Sequence, residues 1–233
     1  MKLLSPGPVS LTRRVREALL RDDICHREPE FSGLMGELRA RLLAVYPQAL
    51  NEFSALLLTG SGTAAVEAMI GSFVPAGATA LVVSNGVYGE RMAAMLLAQK
   101  KTPHLVRSEW VESFNLSAAE KALQANPGIS HVLAVHLETT TGRLNDVPAL
   151  SELCQRHGVK LLLDCVSSFG GEEIDFENWN LEACAGTSYK CLHGVPGVSF
   201  VIARKAAFEK RKTGATSLYL DLYRQFAEQN RQA

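Results

Sequence analysis

The chain has 233 residues and balances 24 Lys and Arg against 24 Asp and Glu, for a formal net charge of zero. That balance argues against a basic nucleic-acid binder and against a polybasic membrane-surface protein. With 47% hydrophobic and 21% charged residues, disorder is excluded, and the length suits one large domain with a sizeable core. The opening Met1-Lys2-Leu3-Leu4-Ser5-Pro6-Gly7 breaks after a very short apolar patch, so no signal peptide is expected, and no apolar run approaches membrane-spanning length. Cys25, Cys154, Cys165, Cys184 and Cys191 are scattered, odd in number and form no C-x-x-C pair. The expectation is reduced thiols in a cytoplasmic setting, with neither a disulfide framework nor a zinc site.

In chain order, residues 11–20 read as a helix with Ser10 as its cap, and residues 31–46 carry Leu34, Leu38, Leu42 and Val45 at helical spacing. A short apolar strand, 55–59, runs through Gly60-Ser61-Gly62-Thr63 into a helix over 64–73. A strand over 78–84 and a helix over 90–99 follow, then a short strand at 104–107 and a helix to Ala125 capped by Ser117. Strands at 131–136 and 159–164 flank a helix over 147–156, and later strands fall at 183–186 and 198–203. Strands alternating with helices predict an α/β fold, a mostly parallel sheet sandwiched by helices. After Tyr223 the sequence turns polar, and residues 224–233 read as a tail.

Chemistry concentrates at the predicted strand ends. Asp164 closes the apolar run from Val159, where open α/β sheets bind ligands. Lys190 stands among small and polar residues before the turn from Gly194 to Gly197. A buried acid with a lysine is what pyridoxal phosphate chemistry needs: the lysine makes the Schiff base, and the acid keeps the pyridine nitrogen protonated. The turn Gly60-Ser61-Gly62-Thr63 offers N–H groups and hydroxyls at a helix N-terminus, suited to a phosphate, although taken alone this weak match reads rather as an ordinary capped βα turn. Tyr88 is either a ring-stacking aromatic or a loop aromatic at a helix start. Thr139, Thr140 and Thr141 are either ligand hydroxyls or strand residues entering a turn, and His136 reads as a buried strand histidine. An isolated Asp164 would be a strand-end turn residue and an isolated Lys190 a solvated surface group. The ordered combination shifts the weight towards one site.

As an ordered set these segments resemble the class V, fold-type I pyridoxal phosphate aminotransferases, and within them the branch acting on 2-aminoethylphosphonate. The matching stretches are Leu4 to Pro8, Asp23 to Phe31, Gly60 to Thr63 with Ala65 to Ala68, Ser84 to Met92, Glu138 to Gly142, Asp164 to Gly171 and Lys190 to Gly197. The resemblance implies pyridoxal 5'-phosphate as cofactor, with Lys190 as the catalytic residue bound to it. Asp164 would pair with the ring nitrogen, Tyr88 would stack on the ring and Val166 would press on its other face. Ser61, Gly62 and Thr63 would face the phosphate, Thr139 would meet the ring hydroxyl or a nearby polar group, and Ser188 is a weaker phosphate candidate. It implies a small-molecule amino donor, 2-aminoethylphosphonate, and a keto acid, pyruvate, as partners, with no nucleic acid and no membrane, in a homodimer.

The implied organisation is an N-terminal segment over 1–30, a cofactor-binding large domain over 31–223 and a polar tail over 224–233, with the family's small C-terminal domain absent. Two other readings stay open. An alanine–glyoxylate or serine–pyruvate type aminotransferase would share the same cofactor motifs. A non-catalytic remnant would bind the cofactor without turnover.

Overall fold

The computed structural model describes residues 3–210 and 213–231. Residues 1, 2, 232 and 233 of the expected N-terminal segment and tail, and 211–212 of the expected large domain, lie outside the described residues. The helices are α1 (Arg13–Glu17), α2 (Pro29–Ala44), α3 (Gly62–Phe73), α4 (Val87–Ala98), α5 (Leu116–Ala125), α6 (Val147–Arg156), α7 (Lys205–Lys210) and α8 (Leu222–Arg231). The strands are β1 (Phe53–Thr59), β2 (Thr79–Ser84), β3 (Thr102–Arg107), β4 (His131–Val135), β5 (Leu137–Glu138), β6 (Arg143–Leu144), β7 (Lys160–Asp164), β8 (Leu181–Thr187) and β9 (Val198–Arg204).

Among the described residues the main sheet has seven strands in the order β1-β9-β8-β7-β4-β2-β3. β3, β2, β4, β7 and β8 pair in parallel, while β9 runs antiparallel to both β8 and β1. The expected mostly parallel α/β sandwich is therefore present, with one reversed strand. The reversal follows from the short link through the Gly194–Gly197 turn, since a parallel connection needs a crossover of a dozen or more residues.

The apolar runs make sense as strands covered on both faces. Leu161 and Leu163 join the core packed by α2, α5 and α6, whereas Leu162 faces the opposite core under α3 and α4. Leu81 and Val83 alternate in the same way with Ala80 and Val82. β3 lies on one side of β2 and β4 on the other, so the chain reverses its winding direction between β2 and β4. The carboxyl ends of strands around such a point form a crevice.

Several local expectations are corrected. α1 starts at Arg13, capped by Thr12 through Val15 N–H at 3.4 Å in place of Ser10, and ends in a 3₁₀ turn over Ala18–Leu20. Asn115, not Ser117, caps α5 by accepting from Ala118 N–H at 2.9 Å. In both cases the cap is the last residue outside helical dihedrals, which composition does not locate. The small hairpin β5–β6, with Leu137 opposite Leu144, was not anticipated. Nor was α8: the described part of the expected polar tail is helical and packs on β1.

α8 is anchored by polar groups. Gln229 donates from Nε2 to Leu57 O at 2.9 Å and accepts Leu57 N–H at 3.1 Å, so its amide pairs with the free edge of β1 as a neighbouring strand would. Arg39 of α2 ties the same corner together, donating to Ala55 O, Gln229 O, Ser54 Oγ and Asn230 Oδ1 at 2.6–3.1 Å. Replacing Arg39 with alanine removes these bonds and leaves half-buried acceptors unpaired, so urea unfolding is expected to show a loss of about 3 kcal/mol. A loss below about 0.5 kcal/mol, the range of ordinary surface changes, would contradict this role.

Candidate active site

The crevice holds an open pocket of about 630 Å³. Gly62, Thr63, Tyr88, Thr139, Asp164, Val166 and Lys190 all line it, brought from four separate strand ends and the turn after β8. Ser61 and Ser188 do not. Ser61 is exposed and caps α3 by accepting Ala64 N–H at 3.4 Å. Ser188 turns its hydroxyl to the carbonyls of Val195 and Val198, which fixes the turn leading into β9.

Asp164 ends β7 and is 6% exposed. Its Oδ1 accepts Val166 N–H at 2.9 Å, and its Oδ2 accepts no hydrogen bond among the described residues. Burial pushes the carboxyl up to about 6; the Val166 bond opposes this, nearby Glu138 adds to it, and Lys190 and Arg91 counter it.

Lys190 is 8% exposed, and burial lowers its pKa below the ordinary lysine value while the Asp164 charge opposes the shift. Its aliphatic end lies against Gly7, where a Cβ would stand 2.5 Å from Lys190 Cδ. The N-terminal segment is held there by Val9 N–H donating to Tyr189 O at 3.2 Å. Any larger residue at position 7 would push the end of the lysine side chain aside.

Tyr88 sits in the first turn of α4, its N–H donating to Glu138 Oε2 at 3.2 Å. Glu138 is fully buried and also accepts the Thr140 hydroxyl at 2.6 Å, so this carboxylate ties the threonine turn to the start of α4. The Thr139 and Ser167 hydroxyls are 2.5 Å apart in the pocket wall. Gly62 faces Val166 so tightly that a Cβ would lie 2.7 Å from both Val166 methyl carbons.

His136 remains the buried strand histidine expected. It is bonded to Ser168 Oγ at 3.0 Å and packs edge-on against Trp179, and burial lowers its pKa to about 4. It lines a separate groove of about 1260 Å³ on the other side of the sheet, which is larger than the pocket but contains none of the residues singled out from the sequence as cofactor-binding.

Several lining residues carried no separate role in the sequence reading. Gly7, Arg91, Ser167 and Tyr189 all face the pocket. Tyr189 accepts Gly62 N–H on its hydroxyl at 3.3 Å, and Arg91 donates to Thr63 Oγ1 at 3.3 Å. Arg91 stands within a stretch that resembled the family, three positions after Tyr88; that helical spacing is the signal that could have found it.

The family model for class-V aminotransferases matches residues 25–228. A 2-aminoethylphosphonate–pyruvate transaminase from Bacillus cereus is 37% identical over 230 residues, covering 99% of this chain and 63% of that protein. One from Vibrio vulnificus is 40% identical over 225 residues, covering 96% and 61% respectively. The crystal structure of an alanine–glyoxylate aminotransferase from Nostoc sp. superposes with a TM-score of 0.87 at 29% identity, over 97% of this chain and 60% of that one. The chain thus spans about three fifths of the length of these relatives. Nearly all of the chain is matched, in the segments that build the pocket as well as in the fold around it, and the protein belongs to the class-V aminotransferase family.

Proposed function

We propose that this chain supplies the cofactor-binding domain of a pyridoxal phosphate-dependent aminotransferase that moves an amino group from 2-aminoethylphosphonate to pyruvate, giving phosphonoacetaldehyde and alanine. The observation that carries the reading is the pairing of a buried acid and a buried lysine, Asp164 and Lys190, in one pocket at the strand ends. The donor set suits the cofactor. Asp164 is a buried carboxylate with one oxygen unpartnered among the described residues, and a protonated ring nitrogen is the kind of cation that would offset it. Tyr88 and Val166 would hold the ring, Thr139 its hydroxyl, Gly62 and Thr63 its phosphate, and Lys190 its carbonyl carbon. Family membership and the names of the relatives support the same cofactor and donor.

When bound, the cofactor supplies an electron sink that makes the carbon bearing the amine acidic. The chain's own residues do the rest. Desolvation weakens the hold of Lys190 Nζ on its proton, so a larger share of the amine is free to act near neutral pH. Lys190 then takes the proton from the amine-bearing carbon of the donor and, in the return half, delivers one to the former carbonyl carbon of pyruvate. Gly7 covers the end of the Lys190 side chain, and the apolar side chains of Met92 and Met95 line the same pocket, which limits water in it. The resemblance further supports a homodimer as the working form.

The test is an absorbance spectrum of the purified protein with pyridoxal phosphate, before and after 2-aminoethylphosphonate. The expected result is a visible band from the lysine-bound cofactor that falls on adding the donor, with alanine formed once pyruvate follows. Alanine with glyoxylate is the comparison pair. If that pair bleaches the band and the phosphonate does not, the specificity is that of the alanine–glyoxylate enzymes. A band that ignores both donors overturns the transaminase reading.

A further inference from the structure

Arg91 is a cation in the pocket that the roles above leave unused. It projects from the second turn of α4, lines the pocket, and places its guanidinium carbon 4.7 Å from the centre of the Tyr88 ring. Among the described residues it makes no ion pair with any carboxylate. Its hydrogen bond goes to the Thr63 hydroxyl at 3.3 Å.

The direction of that bond is informative. A guanidinium can only donate, so Thr63 Oγ1 must accept, and the hydroxyl's own proton is left to be given elsewhere. The first turn of α3 also offers backbone donors, because helical N–H groups there have no acceptor within the helix. Ala64 N–H goes to Ser61 and Gly62 N–H to the Tyr189 hydroxyl, while Thr63 N–H has no partner among the described residues. A free amide, a hydroxyl proton and a guanidinium held in no ion pair among the described residues therefore meet at the N-terminal end of a 12-residue helix. Tyr88, stacked under Arg91, joins this corner to the ring slot.

We propose that Arg91 is a ligand for the dianionic phosphoryl group of the cofactor, supplying its charge partner and aiming the Thr63 hydroxyl at it. The proposal rests on the cofactor reading above and adds a residue to it. Because the guanidinium bridges Thr63 and the Tyr88 face, its fork geometry matters as well as its charge, and lysine is an incomplete replacement.

The experiment compares pyridoxal phosphate with pyridoxal, which lacks the phosphate, by absorbance titration of wild type, Arg91→Met and Arg91→Lys. A thermal melt of each apoprotein confirms folding, which the exposed position of Arg91 favours. In Arg91→Met the advantage of pyridoxal phosphate over pyridoxal is expected to shrink by about tenfold or more, with pyridoxal itself little changed. Arg91→Lys should fall between the two. An unchanged ratio overturns the proposal, and so does an equal loss for both compounds, which would mean that Arg91 only props up Tyr88. A calorimetric titration with inorganic phosphate keeps the test independent of the lysine chemistry. If wild type forms no lysine-bound complex, the transaminase reading fails on that result alone. Phosphate binding that Arg91→Met abolishes would still uphold the anion site, and equal phosphate affinity in the two proteins would remove it. A rise in the KM for 2-aminoethylphosphonate with an unchanged cofactor ratio would assign Arg91 to the donor's phosphonate, and the proposal for the cofactor would fall.

Discussion

Replacing Lys190 with alanine is expected to remove transamination by at least about 10⁴-fold while leaving the apoprotein folded. Both halves of the expectation follow from the position of the amine. Lys190 is buried in the pocket, and burial lowers its affinity for a proton, so the folded state gains little from keeping it charged there. Its aliphatic stem packs on Gly7, a contact that alanine gives up; losing the charge near Asp164 pushes that carboxyl further up, and a protonated acid is tolerated in a buried place. Removing a desolvated amine therefore spares stability and removes the group that would both bind the cofactor and move the proton. The check is twofold: the initial rate of alanine formation, and the visible absorbance that survives removal of unbound pyridoxal phosphate. A variant that keeps the wild-type band would show that another amine carries the cofactor. A variant that loses the band but keeps its rate would show that the chemistry does not run through this lysine.

Much of the frame could be read from residues close together in the chain. The run Val159 to Asp164 is apolar because β7 is covered on both faces, and a strand covered on both faces is legible as a continuous run. Asp164 and Lys190 were legible for the opposite reason: each is a polar residue at the edge of an apolar or small-residue context, and burial in such a place calls for a function or a partner. α6 matched its expected span, Val147 to Arg156, because Asp146 caps it through Ala149 N–H and Pro148 falls in its first turn, where a proline is tolerated.

The parts that escaped depend on contacts between distant segments. Gly7 presses on Lys190 and Tyr189 receives the amide of Gly62, yet neither sequence neighbourhood signals the other. Arg91 has meaning only once α4 places it over Tyr88 and beside Thr63. α8 was hidden by its composition. Gln229 is 8% exposed although it is a polar residue in a polar stretch, because its amide completes the edge of β1. Hydropathy reads such a residue as solvated, whereas the sheet uses it as a hydrogen-bonding surrogate for a strand. Ser188 shows the reverse error of scale: a hydroxyl two residues from the lysine invites a ligand role, but its bonds go to the carbonyls of its own turn.

Asp164→Asn is expected to stabilise the apoprotein near neutral pH while weakening catalysis by about 10²–10³-fold. Without a cofactor, burial holds the carboxyl near 6, above its ordinary value of 3.8. The folded chain therefore binds the Asp164 proton more tightly than the unfolded chain does. Between those two values the unfolded state carries fewer protons, so the contribution of this group to stability is fully present below about pH 4 and is lost as pH rises through about 6. A gap of about two pKa values corresponds to about 3 kcal/mol of stability withheld at pH 7, taken as an upper figure. Asparagine keeps an oxygen for Val166 N–H and carries no charge, so the variant escapes that loss. The difference in unfolding free energy, variant minus wild type, should then grow from near zero at pH 4 to about 2–3 kcal/mol at pH 7, measured by urea denaturation of the cofactor-free proteins. Bound cofactor should shrink the difference, because a cation beside the carboxylate supplies the partner that Oδ2 lacks among the described residues. A pH-independent difference would mean that Asp164 is not the desolvated carboxylate inferred here. A gain in stability that persists undiminished with cofactor bound would mean that the acid faces no cation in the loaded pocket, and its assignment to the ring nitrogen would have to be withdrawn.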